Sequence, residues 1–176
     1  INGVQFVYLM PKDSNAQYKD IECVNVRPKL NKYFPCTLPK VDLWHSVNQQ
    51  QKLKRLNRST KYMLTIHDLN FLTEKGKLSQ LKHLFRLQKK VNRADVIVTI
   101  SHYVAKQVKT HLNLHGKDVR VIYNGVERID QNAESKPTFA TGRPFFFTIG
   151  QIRKKKNFHL LLDVMREFPD TDLYIC

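Results

Sequence analysis

The five-residue run VIVTI at positions 96–100 constrains the fold more than any other part of the chain. An unbroken apolar run of β-branched residues predicts a β-strand, and this strand has no polar face. Such a strand needs cover on both sides, which is typical of parallel sheets flanked by helices. Helical patterns do flank it, at residues 78–93 and after Ser101. The chain is therefore predicted to be an α/β protein with a mostly parallel sheet.

Strand-like and helix-like patterns alternate along the whole chain. Further strands are predicted at Val4–Met10, Ile21–Val26, Val41–Trp44, Tyr62–Ile66, Val119–Ile122, Phe145–Ile149 and Leu173–Ile175. Residues 27–40, with three prolines, and the polar residues 48–61 are interpreted as connections. Ser101 is predicted to cap the helix that follows it, and Asn157 to cap a last helix that Pro169 stops.

The helix at 78–93 carries both apolar and basic residues. The apolar residues are predicted to share one face that packs on the sheet, with the cations largely elsewhere. They are Leu78, Leu81, Leu84, Phe85 and Val91. Two interpretations of the cations are open: the solvated back of an ordinary amphipathic helix, or a surface that contacts an anionic membrane. The solvated back is favoured.

Proline, glycine and polar residues between 123 and 144 are typical of a linker between two domains. Residues 1–122 would then form an N-terminal domain. Residues 145–176 make one βαβ unit, which is too small to bury a core of its own. We therefore expect the second domain to be incomplete, and the chain to be a fragment of a longer protein.

The chain is strongly basic, with 30 Lys and Arg against 15 Asp and Glu and a net charge of +15. An anionic partner is expected, and three classes fit: a nucleic acid, a membrane surface or a phosphorylated small molecule. The cysteines Cys23, Cys36 and Cys176 have no C-x-x-C spacing, so neither a zinc site nor a disulfide framework is predicted. A cytoplasmic location is expected, and no apolar run approaches the roughly 18 residues of a membrane span.

Polar residues or glycine follow five of the predicted strands. They are His45, His67-Asp68, Ser101, Tyr123-Asn124 and Gly150. Ligands of open parallel sheets bind outside the carboxyl ends of the strands, so this pattern favours a cleft there. The alternative is that any strand must end in something polar or small. A histidine at a strand end can hydrogen-bond a ligand hydroxyl, or can be satisfied by backbone groups.

The stretch TIGQIRKKKN at 148–157 combines a glycine, four cations and the start of a helix. A glycine lets the backbone approach a ligand closely, and a helix N-terminus presents unpaired N–H groups to an anion. With Arg153–Lys156 added, the stretch favours a diphosphate ligand, and a solvated basic loop is the alternative. It is neither a P-loop nor a G-x-G-x-x-G motif, so a simple ATPase or dinucleotide dehydrogenase is not supported.

Four stretches, in this order, resemble the GT-B glycosyltransferases of the large family four: YMLTIHDLNFL, ADVIVTISHYVAKQV, VIYNGVE and FFFTIGQIRKKKNFHLLLDV. The resemblance covers roughly residues 41–176. It implies two Rossmann-like domains, with the acceptor held mainly by the N-terminal domain and a nucleotide-sugar donor mainly by the C-terminal one. It also implies transfer with retention and without a metal or other cofactor. Cations and helix N-termini would stabilise the departing diphosphate.

The resemblance also implies roles for individual residues. Gly150 matches the glycine of the first turn of the donor domain, and Lys156 matches the lysine that contacts the donor diphosphate. The family often has Arg directly after that glycine, where this chain has Gln151, so Arg153 or Lys155 is expected to supply the second contact. His67 matches the histidine near the reacting sugar. The first strand of the N-terminal domain would precede Ile1, and the family's acidic pair would follow Cys176.

On the acceptor side of the expected cleft, His45, Asp68 and Ser101 are further candidates, although Ser101 is most simply a helix cap. The sequence thus predicts transfer of a sugar from a nucleotide-diphosphate sugar to a glycan or lipid-linked acceptor. The alternatives are a basic nucleic-acid-binding module and a non-catalytic remnant of such an enzyme. The nucleic-acid module is not favoured, because the cations are not interleaved with exposed aromatics and no binding motif is present.

Overall fold

The computed structural model describes residues 3–11, 21–26, 38–51, 59–126, 138 and 141–176. The chain divides into two compact units, Ile1–Gly125 and Val126–Cys176. Cys36 and most of the predicted connections at 27–40, 48–61 and 123–144 lie outside the described residues. The domain limits drawn from the sequence, at residues 122 and 145, stay predictions.

The first unit contains the strands β1 (Val7–Pro11), β2 (Glu22–Val26), β3 (Leu43–Ser46), β4 (Lys61–Ile66), β5 (Val96–Thr99) and β6 (Val119–Val121), and the helices α1 (Phe71–Glu74), α2 (Lys77–Arg93) and α3 (His102–His111). β3, β4, β5 and β6 form one parallel sheet in that order, and β1 pairs with β2 in parallel. The predicted Rossmann-like α/β architecture is confirmed. His45 lies within β3 and not after its end, so the predicted strand Val41–Trp44 was placed two residues too early.

The strand order places α2 and α3 on one face of the four-stranded sheet. Strands added in sequence order through right-handed crossovers carry their connecting helices to the same side. Leu64 and Ile66 of β4 accordingly share the buried core with Val91 of α2 and Val108 of α3. Because side chains alternate along a strand, Met63, which precedes Leu64, projects from the opposite face.

Helix α2 carries two apolar stripes, and only one of them is buried. Leu87 is 4% exposed and Val91 is 0% exposed. The other stripe is exposed instead, at 86% for Leu78, 63% for Leu81 and 61% for Phe85. Leu81 and Leu87, one from each stripe, are six residues apart in sequence, which places them about 120° apart around a helix of 3.6 residues per turn. The single packed face predicted from the sequence is therefore wrong for these three residues.

Polar side chains fix the ends of the helices. The Ser101 hydroxyl accepts a hydrogen bond from the Val104 N–H at 3.2 Å, so the predicted N-cap of α3 is confirmed. At the end of α2, Lys117 Nζ donates to the carbonyl oxygens of Val91 and Asn92, at 2.8 and 2.9 Å. The Val91 carbonyl also accepts the Ala94 N–H at 3.2 Å, and the ammonium group adds a charged donor at this end of the helix.

The second unit is a single βαβ arrangement. Strands β7 (Phe145–Thr148) and β8 (Asp172–Ile175) pair in parallel, and between them lie a 3₁₀ turn (Lys154–Lys156) and helix α4 (Phe158–Met165). None of the described residues in this unit is buried, including the three phenylalanines of β7. Asn157 has a left-handed backbone (φ 53°) and makes no side-chain cap, so its predicted capping role is wrong. Helix α4 ends at Met165, before Pro169.

Candidate functional site

A cleft of about 470 Å³ lies in the first unit at the carboxyl ends of the parallel strands. Its lining residues come from β3 to β6 and the segments that follow these strands. They are His45, Val47, Asn48, Met63, Thr65, His67, Val98, Ile100, Ile122, Tyr123, Asn124 and Gly125. The cleft thus contains His45, His67, Tyr123 and Asn124, all of which the sequence placed at strand ends.

Strand register explains why these residues meet. His45 of β3 is paired with Met63 of β4, and Thr65 of β4 is paired with Val98 of β5. Met63, Thr65 and the following His67 occupy alternate positions, so they project from one face of the sheet. Since α2 and α3 pack on the other face, the lining face of the sheet is the one that these helices leave uncovered.

His67 is held by the segment that follows β3. Its imidazole Nε2 lies 2.7 Å from the carbonyl oxygen of Val47, and its backbone N–H donates to Gln49 Oε1 at 3.0 Å. A carbonyl oxygen can only accept a hydrogen bond, so Nε2 carries the proton in this contact. In the neutral ring, Nδ1 is then the nitrogen with a free lone pair. His67 therefore makes a backbone contact and lines the cleft at the same time.

His45 has a different partner. Its Nε2 lies 2.8 Å from Thr65 Oγ1, and a hydroxyl can donate or accept, so this contact fixes neither tautomer. Desolvation by the surrounding cleft lowers the pKa of His45 below its ordinary value of 6.5. Loss of hydration disfavours the charged form of a histidine. At neutral pH His45 is therefore an uncharged polar group in the cleft.

Two of the predicted acceptor-side residues, Asp68 and Ser101, do not line the cleft. Asp68 Oδ1 accepts the backbone N–H of Asn70 at 3.0 Å, next to the start of α1. The Ser101 hydroxyl is used as the N-cap of α3. Both side chains make local backbone contacts, which is what short polar residues at the start of helices commonly do.

Two residues near His67 were missed by sequence reasoning. Gln49 contacts His67 as described, and its Nε2 also donates to the Asp68 carbonyl oxygen at 3.0 Å. Lys90 of α2 donates from Nζ to the carbonyl oxygens of Gln49 and Gln51, at 2.5 and 2.6 Å. Burial lowers the pKa of Lys90 below its ordinary value. Nothing in the sequence pattern separates this lysine from the other cations of α2, or this glutamine from its polar neighbours.

The predicted phosphate-binding stretch lies in the second unit. Gly150 has a φ of +150°, a backbone conformation that residues with a side chain rarely adopt. Its N–H donates to the Cys176 carbonyl oxygen at 2.6 Å. Lys156 lies next to it, with Cε 3.8 Å from where a Cβ would stand. Arg153 and Lys155 are exposed like Lys156. The predicted order of strand, glycine, cations and helix is present, while phosphate binding by these residues stays a prediction.

Neither a metal site nor a membrane-spanning helix occurs within the described ranges. No group of three or more His, Cys, Asp or Glu side chains there has an arrangement that could hold a metal ion. None of the helices in those ranges combines the length and the apolar character needed to cross a membrane.

Comparison with known proteins gives one family. The model of Glycosyltransferase Family 4 matches residues 3–128. No curated protein matches the chain significantly. The matched range includes every residue of the cleft and ends before the basic stretch of the second unit.

Proposed function

Because the chain belongs to glycosyltransferase family 4 and is thus a glycosyltransferase in general, we propose that it transfers a sugar from a nucleoside-diphosphate sugar to a glycan or lipid-linked acceptor. The observation that carries the proposal is the cleft at the carboxyl edge of the sheet, which is lined by His67 and the uncharged His45 together with Tyr123 and Asn124. Uncharged hydrogen-bonding groups over an apolar floor suit a ligand rich in hydroxyl groups.

His67 is the proposed catalytic residue. With Nε2 bonded to Val47, its Nδ1 can accept a hydrogen bond from a sugar hydroxyl at the reacting end of the donor or acceptor. The basic stretch is the proposed donor-phosphate site, with the Gly150 turn and Lys156 as the main contacts and Arg153 or Lys155 as the second. In this proposal the cations offset the charge of the departing diphosphate, the reaction needs no metal, and the anomeric configuration is retained.

The test is donor turnover by the full-length protein, of which this chain is expected to be a fragment, with UDP-glucose, GDP-mannose, ADP-glucose and UDP-N-acetylglucosamine as probes. Release of nucleoside diphosphate is measured with and without chelator. The His67→Ala variant should lower turnover by about 10²-fold or more at unchanged melting temperature. Lys156→Ala should weaken donor binding by at least about tenfold, because a hydrogen bond to a charged group contributes about 1.5–3 kcal/mol. The control is Lys109→Ala, on the exposed side of α3.

Donor binding that is equal in Lys156→Ala and Lys109→Ala would contradict the phosphate site. Turnover that survives in His67→Ala would make that histidine structural. Absence of both binding and turnover with all four donors in the full-length protein would contradict a nucleoside-diphosphate sugar as its substrate.

The acceptor side is proposed to approach an anionic lipid surface, at the inner face of a membrane. Support comes from α2, which contains six Lys or Arg, no Asp or Glu, and the exposed stripe of Leu78, Leu81 and Phe85. Lys89 Nζ lies 4.3 Å from the centre of the Phe85 ring, so charge and apolar surface are adjacent. An exposed apolar stripe beside cations is the pattern of helices that lie in a membrane interface.

Co-sedimentation with vesicles tests this contact. Binding to phosphatidylglycerol vesicles should exceed binding to phosphatidylcholine vesicles and fall with salt. The Leu78→Ser and Phe85→Ser variants should each weaken it by about tenfold or more, since one buried apolar side chain contributes about 1.5–3 kcal/mol. Equal binding by wild type and both variants would exclude the stripe as the contact.

A further inference from the structure

The segment 47–51, which follows β3, contacts His67 and Asp68, just after β4, through three hydrogen bonds. Two of them are made by one side chain, because Gln49 accepts the His67 N–H through Oε1 and donates to the Asp68 carbonyl through Nε2. The third joins the Val47 carbonyl oxygen to His67 Nε2. β3 ends at Ser46. With one donor and one acceptor, the Gln49 side-chain amide thus bonds to the backbone of His67 and Asp68 as a peptide group of an adjacent strand would.

We propose that segment 47–51, anchored by Lys90, is a positioning device that fixes the His67 imidazole in the Nε2–H tautomer and leaves Nδ1 as the acceptor for a ligand in the cleft. Gln49 and Lys90 are positioning residues, since neither lines the cleft. The consequence for turnover rests on the proposed role of His67 in sugar transfer. The tautomer itself follows from the hydrogen bonds alone.

The selection of the tautomer comes from the chemistry of the partner. The Val47 carbonyl has lone pairs and no proton, so the 2.7 Å contact exists only when Nε2 bears hydrogen. His45 provides the contrast within the same cleft, because its partner Thr65 Oγ1 can serve as donor or acceptor. One histidine of the cleft has a fixed tautomer, and the other is free to adopt either.

Lys90 connects segment 47–51 to helix α2. Its ammonium group is shared between the Gln49 and Gln51 carbonyl oxygens, so one side chain of α2 holds two backbone groups of the segment. Charge-assisted hydrogen bonds of this kind are shorter and stronger than neutral ones. Removal of the ammonium group releases the segment, and with it the carbonyl and amide that orient His67.

Long-range proton–nitrogen correlation spectra of the histidine-labelled chain test the device without any substrate. In the wild type above the pH range where histidine titrates, His67 should show a protonated Nε2 and an unprotonated Nδ1. Lys90→Met and Gln49→Ala should each raise the Nδ1–H population of His67 by at least about fivefold. Lys90→Arg and the control Lys82→Met, an exposed cation of the same helix, should keep the wild-type pattern. The His45 signals should stay unchanged throughout.

Turnover measurements with the same variants of the full-length protein test the consequence. Lys90→Met and Gln49→Ala should lower kcat by about tenfold while KM for the donor changes by less than about threefold, and Lys90→Arg should restore kcat. A wild-type His67 protonated at Nδ1 overturns the proposal, as does a His67 pattern unaffected by both Lys90→Met and Gln49→Ala. A fixed tautomer in a chain that turns over no donor supports the device and counts against the proposed function instead.

Discussion

Helix α2 offers a sharp test of the packing, because the same substitution can be made on its buried and on its exposed stripe. Leu87 is 4% exposed and Leu78 is 86% exposed. We expect Leu87→Ala to lower the free energy of unfolding by about 3 kcal/mol, within the range of about 2–5 kcal/mol typical of a core leucine. Leu78→Ala should change it by less than about 0.5 kcal/mol, since it removes no buried contact and alanine is an equally good helix former.

The expected shift in melting temperature follows from the size of the first unit, residues 1–125. With an unfolding entropy of about 2.1 cal/mol/K per residue, a loss of 3 kcal/mol lowers the melting temperature of a unit of this size by about 11 °C. Leu78→Ala should lower it by no more than about 2 °C on the same scale. The measurements are urea unfolding followed by far-ultraviolet circular dichroism, and differential scanning calorimetry.

Equal losses of stability in the two variants would refute this orientation of α2. A larger loss in Leu78→Ala than in Leu87→Ala would show that the stripe of Leu78, Leu81 and Phe85 is the one packed on the sheet, as the sequence predicted. That result would also remove the main support for contact with a lipid surface. A large loss in Leu87→Ala alone supports both the packing and the availability of the exposed stripe.

Three further predictions concern single side chains of the first unit. Because burial lowers the pKa of His45, the folded chain binds this proton less readily than the unfolded chain, so the free energy of unfolding should fall as the pH drops from about 6.5 toward the folded pKa. In His45→Gln that part of the pH dependence should vanish in urea titrations at several pH values. Ser101→Ala should cost about 1 kcal/mol through loss of the cap on the Val104 N–H, and Ser101→Asp should retain most of it, by the same titration. Lys117→Met should cost about 1–3 kcal/mol by removing the charged donor from the Val91 and Asn92 carbonyls, whereas Lys109→Met on the exposed side of α3 should cost less than about 0.5 kcal/mol.

The position of the cleft follows from the direction in which the sheet is wound. From β3 to β6 each strand is added on the same side, so α2 and α3 share a face and Met63, Thr65 and Val98 belong to the other. Right-handed crossovers leave no alternative placement for these two helices. The polar residues at the strand ends therefore border a surface that neither helix covers, and this is what allows His45 and His67 to line an open cleft.

Most of the fold could be predicted from the sequence, because the signals are local. The strands at 62–66 and 96–100 and the helix capped by Ser101 were each predicted within one or two residues, since apolar period and capping chemistry depend on a few neighbours. Errors arose where a local pattern has two outcomes. Asn157 is suited both to capping and to a left-handed backbone, and it takes the second.

The residues of the candidate site also fall into two groups: those that the sequence could identify and those that it could not. His67 and His45 could be singled out because parallel strands bring their carboxyl ends to one edge whatever the details of packing. Asp68 and Ser101 could not be excluded from the cleft, because the direction of a side chain near a strand end depends on the turn that follows it. Gln49 and Lys90 had no signal of their own, since their roles depend on contacts across 18 to 41 residues of sequence.

The sequence by itself determined the α/β class, the order of the elements, and the strand ends at which the cleft lies. These depend on the spacing of apolar residues and on the residues that begin helices, which act over one or two turns of chain. Only the tertiary structure decided which stripe of α2 is buried, which polar side chains reach the cleft, and which proton His67 carries. Each of those outcomes is set by a partner distant in sequence, such as the Val47 carbonyl for His67, and periodicity contains no information about such partners.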